Sequence, residues 1–65
     1  MEYKLIKEIH ADTADGKIII KIDQCRRYLR VIVQDDVTVL SINEIALSSS
    51  AEIEKITFDY SEPSL

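Results

Sequence analysis

Residues 17–42, with the sequence KIIIKIDQCRRYLRVIVQDDVTVLSI, decide the fold class of this chain. Apolar and polar residues alternate along much of this stretch, and Ile and Val make up most of its apolar residues. A period of two is typical of β-strands, and β-branched residues are enriched in them. The pattern predicts strands over residues 17–23, 25–34 and 37–42, with Asp35-Asp36 as the turn between the last two.

A further strand is predicted on the N-terminal side, over residues 3–11, where Tyr3, Leu5 and Ile9 fall on one face. Residues 12–16, with the sequence DTADG, follow as a turn in which Gly16 takes a positive φ. A four-residue loop over residues 12–15 sets Ile9 opposite Ile18. That register gathers the apolar side chains on one face, and a slip by one residue scatters them.

The second hairpin is predicted to pair Val33 with Thr38, Val31 with Leu40 and Leu29 with Ile42. The expected core side of the sheet then consists of eight aliphatic residues: Ile18, Ile20, Ile22, Leu29, Val31, Val33, Leu40 and Ile42.

Residues 43–60 allow more than one interpretation. Residues 43–47 either extend the preceding strand or form one helical turn. Ser49 and Glu52 match a capping box, which predicts a short helix over residues 51–56. The alternation of Ile56, Phe58 and Tyr60 instead favours a final strand.

The expected fold is therefore all-β, with about five mostly antiparallel strands in meander order. They form a small twisted sheet or an open barrel, with one short helical turn allowed near residues 43–55. Residues 1–60 are expected to form a single small domain, and residues 61–65 a flexible C-terminal tail.

The length of 65 residues lies near the lower limit for unaided folding, and the usual covalent or metal staples are missing. Cys25 is the only cysteine, so no disulfide forms within the chain. Together with His10 it supplies two of the four ligands that a Cys/His zinc site needs. Self-association, expected as a homodimer, or docking on another protein is the remaining source of stability.

Enzymatic activity is not expected, because the chain has few groups for covalent chemistry. Nucleophilic catalysis needs a base held against the nucleophile, and the predicted pairing places Cys25 and His10 at opposite ends of the first strand. The single Gly leaves no phosphate-binding loop. We therefore expect no catalytic residue, cofactor, bound metal or small-molecule substrate. The lone Cys and the short apolar runs favour a cytoplasmic protein without membrane contact.

The most informative surface is the reverse side of the predicted sheet. A sheet packed on one side alternates between apolar and polar residues, yet this side carries both aliphatic and aromatic groups with basic residues around them. An apolar centre with a basic rim is typical of protein interfaces. The leading hypothesis is thus a small acidic protein-binding module of the inhibitor or adaptor type, with an interface of Ile19, Tyr28, Arg30, Ile32, Val37 and Val39.

The charge distribution supports an alternative. Residues 1–30 contain seven Lys and Arg against five acids, whereas residues 31–65 contain Lys55 alone against seven acids. Arginines beside an exposed tyrosine are typical of single-strand nucleic-acid binders. The alternative hypothesis is therefore a small β-domain that binds nucleic acid through Lys17, Lys21, Arg26, Arg27, Tyr28 and Arg30.

Overall fold

The computed structural model describes residues 2–57 and shows a four-stranded antiparallel meander. The strands are β1 (Lys4–Thr13), β2 (Gly16–Cys25), β3 (Tyr28–Gln34) and β4 (Val39–Ala46), in the sheet order β1-β2-β3-β4. The expected all-β fold with meander order is confirmed. Residues 58–60 of the fifth predicted strand and the predicted tail of residues 61–65 lie outside the described residues. Over residues 2–57 there is no helix, and hence none that is long and apolar enough to cross a membrane.

The four strands form a single sheet, and the described chain is thin, measuring 38 × 33 × 16 Å along its principal axes. Residues that pair directly across neighbouring strands point to the same face of a sheet. The register therefore defines two faces. We call one the aliphatic face, which carries Ile9, Ala11, Ile18, Ile20, Ile22, Leu29, Val31, Val33 and Ile45. We call the other the mixed face, which carries Leu5, Ile19, Tyr28, Arg30, Ile32, Val39, Ile42 and most of the charged strand residues.

The first turn is tighter than the sequence predicted. Thr13 pairs with Gly16, so the turn has two residues in place of four, and Ile9 lies opposite Ile20 instead of Ile18. Gly16 has a φ of 137°, a conformation that residues with a Cβ rarely adopt. The Thr13 hydroxyl donates to the Gly16 carbonyl (2.9 Å) and accepts from the Asp15 N–H (3.2 Å). These side-chain bonds stabilise the short turn and set the register of β1 against β2.

A β-bulge at Ile6 changes the face on which β1 begins. Leu5 pairs with Asp23 and Lys7 pairs with Ile22, so Ile6 is an extra residue without a partner in the ladder. Because the bulge breaks the alternation, Leu5 lies on the mixed face, whereas Ile9 lies on the aliphatic face. The prediction that Leu5 and Ile9 share one face is wrong for this reason.

The central hairpin confirms the sequence prediction. Ile20 pairs with Val33 and Ile22 with Val31, so the aliphatic residues of β2 and β3 share one face as expected. The turn consists of Arg26 and Arg27, and Arg26 has a φ of 56°. The third strand thus begins at Tyr28, later than its predicted start.

The register of β3 against β4 differs from the prediction by three residues. Val33 pairs with Ser41, Val31 with Asn43 and Leu29 with Ile45, so these residues do not meet Thr38, Leu40 and Ile42. The observed register pairs Ile32 with Ile42 and Arg30 with Glu44, so it places opposite charges side by side. Ile42 consequently lies on the mixed face and is not part of the expected core. Residues 43–46 continue the strand, which resolves the choice between strand and helical turn.

The loop between β3 and β4 explains this shift. The Asp35 carboxylate accepts hydrogen bonds from the N–H groups of Val37 and Thr38, both at 2.8 Å, and the Asp35 N–H donates to the Thr38 carbonyl at 3.0 Å. The two backbone bonds to the carboxylate lower the pKa of Asp35. Leu40 is then an extra residue in a second bulge, between the pairs Gln34–Val39 and Val33–Ser41. A turn of Asp35-Asp36 alone is therefore replaced by a loop of residues 35–38.

Residues 47–57, which we call the strap, cross one end of the aliphatic face. The Leu47 N–H donates to the Arg27 carbonyl (2.7 Å), and Glu52 forms an ion pair with Lys4 on the edge strand β1. Gln24 holds the strap in its middle. Its amide donates to the Ala51 carbonyl (3.0 Å) and accepts from the Ile53 N–H (2.8 Å).

The helix predicted over residues 51–56 is absent, because residues 51–57 form neither a helix nor a strand. The Ser49 hydroxyl accepts from the Ala51 N–H (3.1 Å), two residues on, and not from the third residue as a capping box requires. Gln24 is 6% exposed, and its side-chain amide satisfies backbone groups of the strap that would be bonded within a helix.

The expected core is not closed within the described chain. Within residues 2–57 only Asp23, Gln24 and Cys25 are buried, and no side chain is completely shielded from solvent. The aliphatic residues of β2 and β3 are half-buried by one another. A protein interior is packed far more tightly than this, so the hydrophobic side chains of the sheet require a further covering layer.

Replacing Gln24 by Ala is expected to release the strap. The substitution leaves the Ile53 N–H and the Ala51 carbonyl without their partner, at a cost of about 1–3 kcal/mol in the free energy of unfolding. Amide hydrogen exchange at Ile53 should accelerate, whereas exchange in β2 and β3 should change little. The same substitution at Gln34, on the opposite face, is the control and should leave Ile53 protected. Unchanged protection at Ile53 in the Gln24 variant would show that the strap is held by other contacts.

Candidate functional site

The aliphatic face forms a continuous apolar surface over the two central strands. On β2 and β3 it presents only aliphatic side chains and Gln24, without a charged group. Its other polar residues lie on the outer strands, namely Lys4, Lys7 and Thr13 on β1 with Ser41 and Asn43 on β4. A sheet face of this composition is usually packed against a second layer.

The mixed face brings together most of the interface predicted from the sequence. Ile19, Tyr28, Arg30, Ile32 and Val39 all lie on it. Val37 does not, because it lies in the loop of residues 35–38, where it is 91% exposed. Two further apolar residues of this face, Leu5 and Ile42, were missed, since the bulge at Ile6 and the shifted register are not visible in the alternation. They are 51% and 59% exposed.

A polar cluster crosses the mixed face. Arg30 of β3 donates to both carboxylate oxygens of Asp23 on β2, at 2.9 and 2.7 Å. The Arg30 guanidinium also lies 3.9 Å from the centre of the Tyr3 ring, and the Tyr3 hydroxyl donates to Glu44 of β4 at 2.6 Å. Arginine suits this position, because its planar fork matches a carboxylate and stacks on an aromatic ring. The cluster links the start of the chain to β2, β3 and β4.

Each polar group of the cluster has a hydrogen-bond partner within it. The hydrogen bonds to Asp23 raise the pKa of Arg30, so the guanidinium stays protonated. The hydrogen bond to Glu44 raises the pKa of Tyr3, because the neutral phenol is the form that donates. Asp23 is only 7% exposed and has its partner in place. The cluster, with one guanidinium and two carboxylates, is thus a structural link whose hydrogen-bonding groups already have partners.

Alkaline titration is expected to detect the bond between Tyr3 and Glu44. A raised folded-state pKa means that the stabilisation is fully present below the ordinary value near 10 and is lost as the pH rises through the folded-state value. Tyrosinate absorbance of the folded protein should therefore contain a late component that Tyr3→Phe removes and Tyr28→Phe retains. Retention of this component in Tyr3→Phe would contradict the assignment.

The basic residues of the nucleic-acid hypothesis do not form a continuous surface. Arg26 and Arg27 lie in the turn between β2 and β3, where the Arg27 guanidinium approaches the Tyr28 ring (5.4 Å). Lys17, Lys21 and Arg30 share the mixed face with four acids, which are Glu8, Asp12, Asp23 and Glu44. Arg30 is already engaged by Asp23. Nucleic-acid sites instead collect uncompensated positive charge.

His10 and Cys25 do not meet. His10 lies opposite Ile19 on β2, six residues from Cys25, which corresponds to about 20 Å along a strand. His10 contacts Glu8 at 2.7 Å, and this hydrogen bond lowers the pKa of Glu8. Cys25 is buried. Within residues 2–57 there is also no group of three or more His, Cys, Asp or Glu residues that could hold a metal ion.

The chain matches no protein-family model, and no curated protein or solved structure is significantly similar to it. The function is therefore argued from the two faces of the sheet.

Proposed function

We propose that this chain is a non-enzymatic protein-binding module that acts as a homodimer. The aliphatic face packs against the same face of a second copy, and the mixed face binds another protein. The observation that carries the proposal is the thickness of 16 Å, together with apolar residues on both sides of the sheet. Stable domains bury such faces between at least two layers.

A second copy suits the aliphatic face because the centre of this face can be buried without burying an unpaired charge. Two sheets in a β-sandwich lie about 10 Å apart and interdigitate aliphatic side chains from their inner faces. Ile20 and Val33 lie near the centre of this face, and Lys7 lies on the outer strand. Lys7 can keep its ammonium group in water while its methylene chain packs. Burial of the centre therefore gains hydrophobic free energy with little desolvation cost.

The mixed face suits a different partner. It combines Tyr28, Arg30 and three exposed aliphatic residues, Leu5, Val39 and Ile42. Aromatic residues and arginine are enriched in interface hot spots. The salt bridge between Arg30 and Asp23 is already formed, so a partner can cover this region without leaving either charge unpaired. The interleaved charges of the remaining surface provide specificity.

The nucleic-acid hypothesis has less support, because acids alternate with the basic residues on the mixed face. It remains distinguishable by experiment. Binding to a single-stranded oligonucleotide would fall steeply with salt concentration and would be lost in a variant with Arg26→Ala and Arg27→Ala. If the chain is the proposed protein-binding module, we expect no salt-dependent binding to the oligonucleotide.

The midpoint of thermal unfolding is expected to depend on protein concentration. Unfolding of an obligate dimer releases two chains, so mass action stabilises it as the concentration rises. With about 0.7 kcal/mol of unfolding enthalpy per residue, Tm should increase by about 5 °C for each tenfold increase in concentration. Calorimetry over a hundredfold range measures this slope. A Tm that is independent of concentration, with a single-chain mass in sedimentation, would refute the homodimer.

Replacing Ile32 by Asp is expected to abolish binding to the protein partner. Ile32 lies between Lys21 and Ile42 near the middle of the mixed face, so a carboxylate at this position removes apolar contact area and adds a charged group that a bound partner would have to desolvate. Quantitative affinity capture from the native host should show at least a tenfold loss of the captured protein. Val37→Asp is the matched control, since it adds the same charge off the face and should bind normally. Equal loss in both variants would indicate a general charge effect.

A further inference from the structure

The two outer strands of the sheet differ in their protection against edge pairing. The edge strand β1 carries five ionisable side chains, which are Lys4, Lys7, Glu8, His10 and Asp12, and it is interrupted by the bulge at Ile6. Charged residues and bulges are the devices by which proteins block pairing at a sheet edge. The edge strand β4 has only Glu44 as a charged residue. Val39, Leu40, Ile42 and Ile45 of this strand are each at least 50% exposed.

The outer edge of β4 offers a row of backbone donors and acceptors. The Leu47 N–H donates to the Arg27 carbonyl, and these residues continue the register of β3 with β4. Hydrogen-bonded and non-hydrogen-bonded pairs alternate along an antiparallel ladder. The backbone groups of Ser41, Asn43 and Ile45 therefore point toward β3, and those of Ile42, Glu44 and Ala46 point outward. Within residues 2–57 no strand pairs with this outer edge.

The sequence of β4 is compatible with antiparallel pairing to itself. Centring the pair on Asn43 places Ile42 opposite Glu44 of the second copy, and Glu44 opposite Ile42, so that the outward groups form four backbone hydrogen bonds. Centring on Glu44 would instead set two carboxylates directly opposite each other, which is destabilising. Centring on Ile42 would bring Glu44 to the bulge at Leu40, where the ladder is irregular. The register centred on Asn43 is the most favourable of the three.

We propose that β4 pairs antiparallel with β4 of a second copy across a two-fold axis at Asn43, forming a continuous eight-stranded sheet. The pairing uses the edge of the sheet and leaves both faces free. The number of copies in the assembly rests on the proposed function. If two copies also pack through their aliphatic faces, as proposed above, this packing adds a second two-fold axis. Two-fold axes that intersect at right angles generate a closed tetramer of two eight-stranded sheets, which is the assembly we propose.

Disulfide cross-linking of Asn43→Cys tests the edge pairing in the full-length chain, with Cys25→Ala so that one thiol remains. At the axis the two substituted residues form a non-hydrogen-bonded pair, with Cα atoms about 4.5 Å apart, which a disulfide can span. Face packing keeps facing strands about 10 Å apart, so it joins two cysteines only where their side chains meet directly across the interface, and an edge residue of the same face reports that background. The control is Ala11→Cys, on the same face of the other edge strand. Thiol titration confirms that the introduced cysteine is accessible in both variants.

Under mild oxidation, Asn43→Cys should cross-link at least tenfold faster than Ala11→Cys, and the wild-type chain should sediment as a tetramer. Cross-linking with a dimeric mass would support edge pairing and overturn face packing. A dimeric mass without cross-linking of the Asn43→Cys variant would overturn the edge pairing and leave the proposed homodimer intact. A single-chain mass at every concentration, without cross-linking, would overturn both.

Discussion

The structure depends on one constraint: a single β-sheet has two faces, and this chain supplies no second layer within residues 2–57. The strap covers only the end of the aliphatic face near Gln24. The hydrophobic effect therefore acts mainly within each face, between neighbours such as Ile20 and Val33, and the side chains remain partly exposed. The proposed self-association would give so small a chain a closed core.

The polar cluster of the mixed face opposes slippage of this exposed sheet. A shift by one residue would move Arg30 to the aliphatic face, away from Asp23, and would place a charge among aliphatic side chains. Tyr3 and Glu44 extend the cluster to the outer strands. The register of paired strands is weakly specified when both faces of a sheet carry apolar residues. The ion pair on the mixed face therefore helps to fix the alignment of β2 and β3.

The alternation of apolar and polar residues was sufficient to predict the four strands and the face that β2 and β3 share. The two-residue turn between β2 and β3 keeps the alternation in phase from one strand to the next. It also placed Ile19, Tyr28, Arg30, Ile32 and Val39 on one surface. It was insufficient where a bulge adds a residue. Ile6 and Leu40 each follow another apolar residue, Leu5 or Val39, so the local pattern does not show which residue of the pair is the extra one. The strap was equally hidden, because it depends on the Gln24 side chain and not on periodicity.

In the proposed homodimer, the strap limits which part of the aliphatic face can pack against the second copy. It occupies the end where β1 begins, over Lys4 and Gln24, so the opposing sheet must centre farther along the strands, near Ile20 and Val33. Gln24 and the ion pair of Lys4 with Glu52 thus act at the boundary of the interface. A released strap would enlarge the exposed aliphatic surface and expose the backbone of residues 51–53 at the same time. The same hydrogen bonds that order this segment therefore help to confine association to a defined region of the sheet.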